Sequence, residues 1–422
     1  RRELGFIGEC TPTELTRLEH EAPAFASAFT RVSVEPVSSP ATLSMLLHEA
    51  RRLEREHQLE IDPRAYRRIL DLGRALSGGS EPGRSLSALK GLVKSYAKPA
   101  DALVQPPLAA SDVTAWFAKQ TGLPELLLSS DPPLSAETLR RELGQQIMGQ
   151  PAGLDAAVDL VLSLRAGLTA RERPYGVYLF TGPTGTGKTE LAKCLAEYLY
   201  GDARRLCRFD MGEHGGADAV ARLLGDRFAP EGTLTRAVRG QPFSVLLFDE
   251  IEKAHPAVLN LMLQVFDEGR LTDASGAVAD FSHCVVVMTS NLGAGKRSVR
   301  GFLDDPGGPS TDVARAVREF FPPELFNRID RVVPFEPLDR GAARDIAKKE
   351  LTKLTARPGL TERNVFVRFT DAVVESVVHE GYSLEYGARA LKRHIDRQIG
   401  DELGRAVTGE RGAEMRLFWL YR

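Results

Sequence analysis

Short apolar runs and longer stretches of helical spacing alternate along this chain, most regularly in its middle. Val177-Tyr178-Leu179-Phe180-Thr181 is a run of strand type, and beyond it Leu191, Ala192, Leu195, Ala196 and Leu199 recur at the spacing of one helix face. Ser244-Val245-Leu246-Leu247-Phe248 is a second buried-strand pattern. Strands and helices that alternate in this way demand a parallel sheet, so an α/β core is expected over about Gln145–Pro337, with a mixed domain over Leu338–Arg422. Upstream, amphipathic helices are predicted over Thr42–His57, Ala65–Leu76 and Leu86–Tyr96, broken at Asp62-Pro63 and by the loop Ser77–Ser85. Lys98–Ser111 reads as a linker, Asp112–Gln120 as a helix, Pro132-Pro133 as a break, and Ser135 as the cap of a helix running to Gly144.

Leu4-Gly5-Phe6-Ile7-Gly8 reads as a strand entered midway, which suggests a piece of a longer chain. Phe29-Thr30-Arg31-Val32-Ser33-Val34-Glu35-Pro36 echoes Ile329-Asp330-Arg331-Val332-Val333-Pro334-Phe335-Glu336-Pro337, and a helix is predicted after each. Two copies of one module are implied, the first without a phosphate loop within these residues.

Composition narrows the picture. A chain of 422 residues, 43% hydrophobic and 27% charged, has room for roughly two to four domains with real cores. Its 55 Lys and Arg against 57 Asp and Glu leave a net charge of −2, which gives no general pull toward nucleic acid or an anionic membrane. Cys10, Cys194, Cys207 and Cys284 form no C-x-x-C pair, so buried reduced thiols are expected rather than a disulfide framework or a zinc site. No run approaches the roughly eighteen apolar residues of a membrane helix, and a cytoplasmic chain is the expectation.

The chemistry sits between the patterned elements. Gly182-Pro183-Thr184-Gly185-Thr186-Gly187-Lys188-Thr189 fits G-x-x-x-x-G-K-[ST] and joins a strand to a helix N-terminus. The glycines let backbone N–H groups point into a concavity, the helix dipole adds positive charge, and Lys188 places a full charge near the β- and γ-phosphates of a nucleotide. Thr189 is then positioned to hold Mg²⁺ through its hydroxyl. Without a ligand the same residues would be a glycine-rich turn that packs a strand on a helix. At the exit of the second run, Asp249 falls at the Mg²⁺ site, and Glu250 can align a water on the γ-phosphate. The plainer reading of that pair is a solvated acidic turn. No Asn-Lys-x-Asp base reader occurs, which favours adenine.

Taken together, these residues resemble the Clp-type AAA+ protein unfoldases and disaggregases, in particular their second ATPase module. The resemblance rests on Ile147-Met148-Gly149-Gln150, the phosphate loop, Arg208-Phe209-Asp210-Met211, Leu247 to Pro256, Gly269-Arg270-Leu271-Thr272-Asp273, Met288-Thr289-Ser290-Asn291, Phe326-Asn327-Arg328-Ile329-Asp330 and Tyr386-Gly387-Ala388-Arg389. It implies an AAA+ P-loop fold, with a parallel sheet sandwiched by helices and small helical or α+β lid domains. The implied division is 1–36 for the end of a first core, 37–105 for its helical lid, 106–140 for a linker and connecting helix, 141–337 for the nucleotide-binding core and 338–422 for the C-terminal lid. It further implies that Ile147 and Met148 lie against the adenine, that Asn291 senses the γ-phosphate and that Arg389 is a sensor arginine from the lid. Arg328 would be a finger reaching into a neighbouring subunit. ATP and Mg²⁺, a ring that in this family is a hexamer, and protein substrates or adaptors are the implied cofactors and partners.

Three departures qualify that pattern. Ala26-Ser27-Ala28 stand where the family's first module carries paired arginines, so a weak or dead first ATPase is expected. Between Leu224-Gly225 and Leu234, a short Asp226-Arg227-Phe228-Ala229-Pro230-Glu231-Gly232 replaces a pore loop with two aromatics; Phe228 is either a paddle or a turn residue packed on the core. No room is left for the disaggregases' long coiled coil, and Arg300-Gly301-Phe302 puts an arginine where a peptidase-docking tripeptide is apolar, which disfavours a peptidase partner. The implied activity is an ATP-hydrolysing ring motor that remodels proteins. The alternative is a nucleotide-switched scaffold that threads nothing.

Overall fold

A computed structural model describes residues 6–10, 12–35, 37–76, 80–96, 106–128, 135–169, 172–293, 311–363, 365–383, 386–408 and 416–420. The chain divides into two units, Arg1–Trp116 and Phe117–Arg422.

The second unit is built on β1 (Gly176–Thr181), β2 (Leu206–Asp210), β3 (Val245–Asp249), β4 (Arg270–Thr272), β5 (Val278–Asp280), β6 (Val285–Ser290) and β7 (Arg331–Pro334). Five of these form one parallel sheet in the order β2-β3-β6-β1-β7, while β4 and β5 make a separate antiparallel hairpin. Every residue of β3 and β6 is buried. A sheet covered on both faces needs such continuous apolar runs, which is why they read as runs rather than as alternation. The helix Lys188–Tyr200 buries Leu191, Ala192, Leu195, Ala196 and Leu199, the face that the spacing predicts. Because the strands are parallel, Thr181 lies level with both Ser290 and Pro334, and the loops that follow β1, β3 and β6 all leave from one end of the sheet.

The C-terminal part of this unit packs Ala347, Leu351, Val374, Val377 and Leu391 from the helices Arg340–Thr355, Asp371–Gly381 and Gly387–His394 into a core of its own. Beside them β8 (Val365–Phe369) pairs in parallel with β9 (Arg416–Leu420), so this region is α+β.

In the first unit the helices Ser39–His57, Pro63–Leu76 and Gly83–Tyr96 bury Leu46, Ala50, Ile69, Leu89 and Val93. Each begins two or three residues before the apolar periodicity does. Pro40 and Pro63 occupy first-turn positions, where a missing N–H loses nothing, so a proline that punctuates the sequence opens the helix instead of preceding it. Part of the expected linker is also packed: Leu108 is fully buried, its N–H donates to the Glu60 carbonyl at 2.7 Å and its carbonyl accepts from Asp62 N at 3.0 Å.

Two expectations need correction. Phe6, Ile7 and Gly8 are exposed and form no strand; Leu4 and Gly5 lie outside the described residues. The two echoing stretches differ in structure: Phe29–Pro36 forms no strand where it is described, with Val32 and Val34 exposed, whereas its counterpart contains β7. A strand needs a ladder to join: β7 has β1, whereas the first copy has no such neighbour among the described residues. Upstream, the one-turn helices Pro23–Ala26 and Pro323–Phe326 share their length and the hydrogen bonds of their C-caps, and aligning the two sets Ala28 opposite Arg328. Thiol burial holds for Cys194 and Cys284, is partial for Cys207, and fails for Cys10, which is exposed. Burial pushes the Cys194 thiol up to about 11 and that of Cys284 to about 12. Among the described residues no helix is long and apolar enough to cross a membrane.

Candidate active site

The phosphate loop, residues 182–187, is fixed at both of its flanks. Gly182 N donates to the Ser290 carbonyl at the end of β6 at 3.1 Å. Gln150, almost fully buried, donates through Nε2 to Thr186 O at 3.0 Å and to Glu336 O at 2.9 Å, and accepts from Glu336 N at 3.1 Å. Thr186 Oγ1 donates to Pro183 O at 2.9 Å, closing the loop on itself, while Thr184 is exposed. Lys188 and Thr189 open the following helix, with Thr189 half-buried in the first turn.

Lys188 is only 9% exposed. Its Nζ donates to Gly182 O at 2.5 Å, to Pro183 O at 2.8 Å and to Asn291 Oδ1 at 3.1 Å. Burial pulls its pKa down to about 8 against the opposing pull of Glu252 and Asp249.

From β3, buried Asp249 accepts the Thr289 hydroxyl on Oδ1, and its Oδ2 stands 2.6 Å from Arg208 Nη2. Glu250 follows with φ +56° and ψ +53°, a left-handed backbone that a side-chain-bearing residue adopts at a cost of about 1 kcal/mol. Its amide donates to Thr289 Oγ1 at 3.0 Å, and its carboxylate pairs with Lys253 Nζ at 2.6 Å. Asn291 is anchored through its own N–H, which donates to Glu252 Oε1 at 3.1 Å.

The lid meets this loop through backbone. Ala388 N donates to Gly185 O at 3.0 Å; a Cβ on Gly185 (φ +77°) would lie 2.3 Å from Tyr386 O, and one on Gly387 (φ +50°) 2.6 Å from Gly185 O. Only two glycines permit that approach. Exposed Arg389 follows one residue after this contact, near enough that its charge helps to lower the Lys188 pKa. Ile147, buried, and Met148, half-buried, line a cavity of about 70 Å³ with Thr186, Glu190 and Lys349.

Lys188, Thr189, Asp249, Glu250 and Asn291 thus gather at the C-terminal ends of β1, β3 and β6, with Ile147, Met148 and Arg389 toward the lid. Arg328 does not join them. Its Nε pairs with Asp267 Oδ1 at 2.6 Å, and nearby Asp330 holds the opposite end of β1, donating N–H to Val177 O at 2.9 Å and accepting Val177 N on Oδ2 at 2.8 Å. Val177 to Thr181 is about 13 Å of strand, so the segment carrying Arg328 lies toward the end of β1 opposite the phosphate loop. Phe228 is 91% exposed and does not pack on the core. Arg300-Gly301-Phe302 lie outside the described residues.

Arg208, Gln150, Glu252 and Lys253 touch the site, yet sequence reasoning assigns them no role. Each is an ordinary polar residue whose only signal is its place within a motif. The oxygens of Asp249 and Thr189 suit a hard cation such as Mg²⁺, which takes few protein ligands and shares the rest with phosphate and water.

A family model for the AAA domain (Cdc48 subfamily) matches residues 173–332, and one for the C-terminal, D2-small domain of ClpB matches 338–415. The chaperone protein ClpB of Lactiplantibacillus plantarum is 39% identical over 322 residues, 74% of this chain and 37% of that protein. ClpB of Corynebacterium diphtheriae is 40% identical over 313 residues, 73% of this chain and 35% of that protein. The chain spans about a third of the length of these curated relatives. Among solved structures, the S. cerevisiae Hsp104:casein complex in its extended conformation superposes with a TM-score of 0.76 at 31% identity, covering 95% of this chain and 70% of that one. A closed-state reconstruction of Hsp104 with ATPγS and FITC casein gives 0.79 at 29%, covering 97% and 71%. The parallel sheet with its flanking helices is the AAA+ P-loop fold of these structures.

Proposed function

The chain belongs to the Clp-type AAA+ disaggregases, the family of ClpB and Hsp104, and on that footing we propose that it is the second ATPase module of a ring motor that hydrolyses ATP to remodel or unfold proteins. The observation that carries the reading is the convergence of the phosphate loop, Asp249-Glu250 and Asn291 at one end of the sheet, with Lys188 bonded to Asn291.

In this reading Lys188 and the loop amides bind the β- and γ-phosphates, and Ile147 and Met148 bound the adenine cavity. Thr189 and Asp249 would hold Mg²⁺, which supplies positive charge to the phosphates when bound. Glu250 leaves Lys253 to orient and deprotonate the attacking water, while Asn291 fixes the γ-phosphate end and Arg389 adds charge from the lid. Arg328 serves the neighbouring subunit's site, which makes a closed ring, a hexamer by family, part of the mechanism. A cytoplasmic location belongs to the same proposal.

The exposure of Phe228 favours the motor over the scaffold, since a scaffold has no use for a bare aromatic on a short loop. The substrate class is unfolded polypeptide, brought directly or by an adaptor; a peptidase docked through Arg300-Gly301-Phe302 would have to bury the arginine, and the proposal does without it. In the first copy, Ala28 at the finger position supports a first module with little or no ATPase. The test is an ATP-driven unfolding assay on a casein-like or fluorescent tagged substrate. Unfolding that stops in Glu250→Gln supports the motor, and rapid ATP turnover with no unfolding of any substrate supports the scaffold.

A further inference from the structure

The β4–β5 hairpin is bonded to the Phe228 loop through groups that the nucleotide site does not use. Asp273, at the hairpin turn, has a fully buried side chain. Its Oδ1 accepts Ser275 N at 2.9 Å, Ser275 Oγ at 2.5 Å and Ala277 N at 3.0 Å. Its Oδ2 lies 2.7 Å from Arg239 Nη1, an approach too oblique for a directed hydrogen bond, so the contact is held by charge. Arg239 belongs to the helix Thr233–Gly240 that follows the loop, and its Nη2 is 3.4 Å from Glu231 within the loop's last turn. At the loop's other end Ala274 N, in the hairpin, donates to Leu224 O at 3.3 Å.

The loop itself is tight. Asp226 Oδ1 accepts the amides of Phe228 and Ala229, both at 2.8 Å, and a Cβ on Gly225 (φ +92°) would sit 2.2 Å from Pro230 O. A short loop with internal bonds and two anchored ends moves with its foundation. That foundation joins the nucleotide site at both ends: the helix Pro256–Glu268 leads into it from the segment after Glu250, and β6 leads out of it to Asn291.

We propose that Arg239 is a positioning residue for Phe228, pairing with Asp273 and Glu231 at once and so fixing residues 225–232 on the β4–β5 hairpin. Phe228 is then a firm contact for unfolded polypeptide, and one aromatic on a stiff mount replaces a longer loop. The use of the mount rests on the motor reading; its existence does not.

The test takes the whole chain with Arg239→Gln, with Arg239→Lys and with the pair Arg239→Met and Asp273→Asn. The paired variant matters because Arg239→Gln alone strands a buried carboxylate and could unfold the protein, whereas the pair leaves none unpaired. Hydrogen exchange by mass spectrometry reads amides 225–232, with those of Lys188–Tyr200 as the internal control. Arg239→Gln and the paired variant should speed exchange across 225–232 at least tenfold without changing the control, and Arg239→Lys should restore most of the protection. ATP turnover should stay within about threefold of the parent while substrate unfolding falls at least tenfold. Exchange at the parent's rate across 225–232 in the paired variant overturns the clamp. Faster exchange in a protein whose parent unfolds nothing keeps the clamp and removes the motor.

Discussion

Lys188 Nζ donates to Asn291 Oδ1 across 3.1 Å, joining residues 103 positions apart. The sheet register causes the meeting: Thr181 lies level with Ser290, so the loop leaving β1 and the residue leaving β6 start side by side. A nucleotide entering here meets an ammonium already desolvated and already coupled to the proposed γ-phosphate sensor.

The first prediction concerns pH. Burial lowers the Lys188 pKa from 10.5 to about 8, so in the nucleotide-free protein its charge is lost as pH rises through about 8. Nucleotide affinity should therefore weaken above pH 8, by up to about tenfold per unit, as followed with a fluorescent ADP analogue. The unfolded chain holds this proton until about 10.5, so folding stability should gain from this group between about 8 and 10.5. Lys188→Met should bind no nucleotide yet melt no lower than the parent at pH 7. A fall of many degrees in its Tm would contradict the burial argument.

Glu250 should separate binding from hydrolysis. In Glu250→Gln the amide keeps the side chain's shape but cannot take a proton, so ATP should bind within about threefold of the parent while turnover falls at least 100-fold. Equal turnover in a steady-state ATPase assay would remove Glu250 from its role.

The lid contact predicts a loss of affinity from a site outside the phosphate loop. In Gly387→Ala the added methyl meets Gly185 O at 2.6 Å and the residue must hold φ +50°, so the lid backs away and takes Arg389 with it. ADP affinity should drop about tenfold or more with the fold's Tm little changed. Parent-like affinity would show that the lid does not need this approach.

For Phe228→Ala, 91% exposure predicts a Tm shift under about 1 °C, since almost no buried surface is lost. Basal ATPase should survive and substrate unfolding should fall. A large Tm loss would mean that the ring packs somewhere it is not seen to pack.

Legibility followed the physics. The phosphate loop and Asp249-Glu250 were readable because each sits at the end of an apolar run, and a parallel sheet sends such ends to one place. Helix starts were displaced, since Pro40 and Pro63 open helices that apolar spacing alone begins later. The strand expected at Leu4-Gly5-Phe6-Ile7-Gly8 does not form where it is described, because an extended pattern says nothing about whether a neighbour offers a ladder. Gln150, Arg208 and the Arg239–Asp273 pair left no periodic signal; they matter through contacts that only the folded chain brings together.

The central requirement of the proposed motor is an active site built from two chains. Arg328 lies at the far end of the sheet from its own Lys188, held by an ion pair to Asp267 with both partners partly exposed, at 50% and 37%. Such a surface pair contributes about 0–1 kcal/mol and can be given up to a neighbour's phosphate, where a finger is worth about 10³–10⁵ in rate. Arg328→Ala and Glu250→Gln should each be nearly inactive alone. In mixed rings, an Arg328→Ala subunit still offers Lys188, Asp249 and Glu250, and a Glu250→Gln subunit still offers Arg328, so one complete site re-forms where the two meet in the right order. Mixing should recover part of the ATPase, and dilution below the assembly concentration should abolish it. No recovery at any ratio, with ring formation confirmed by sedimentation, would contradict the two-chain site.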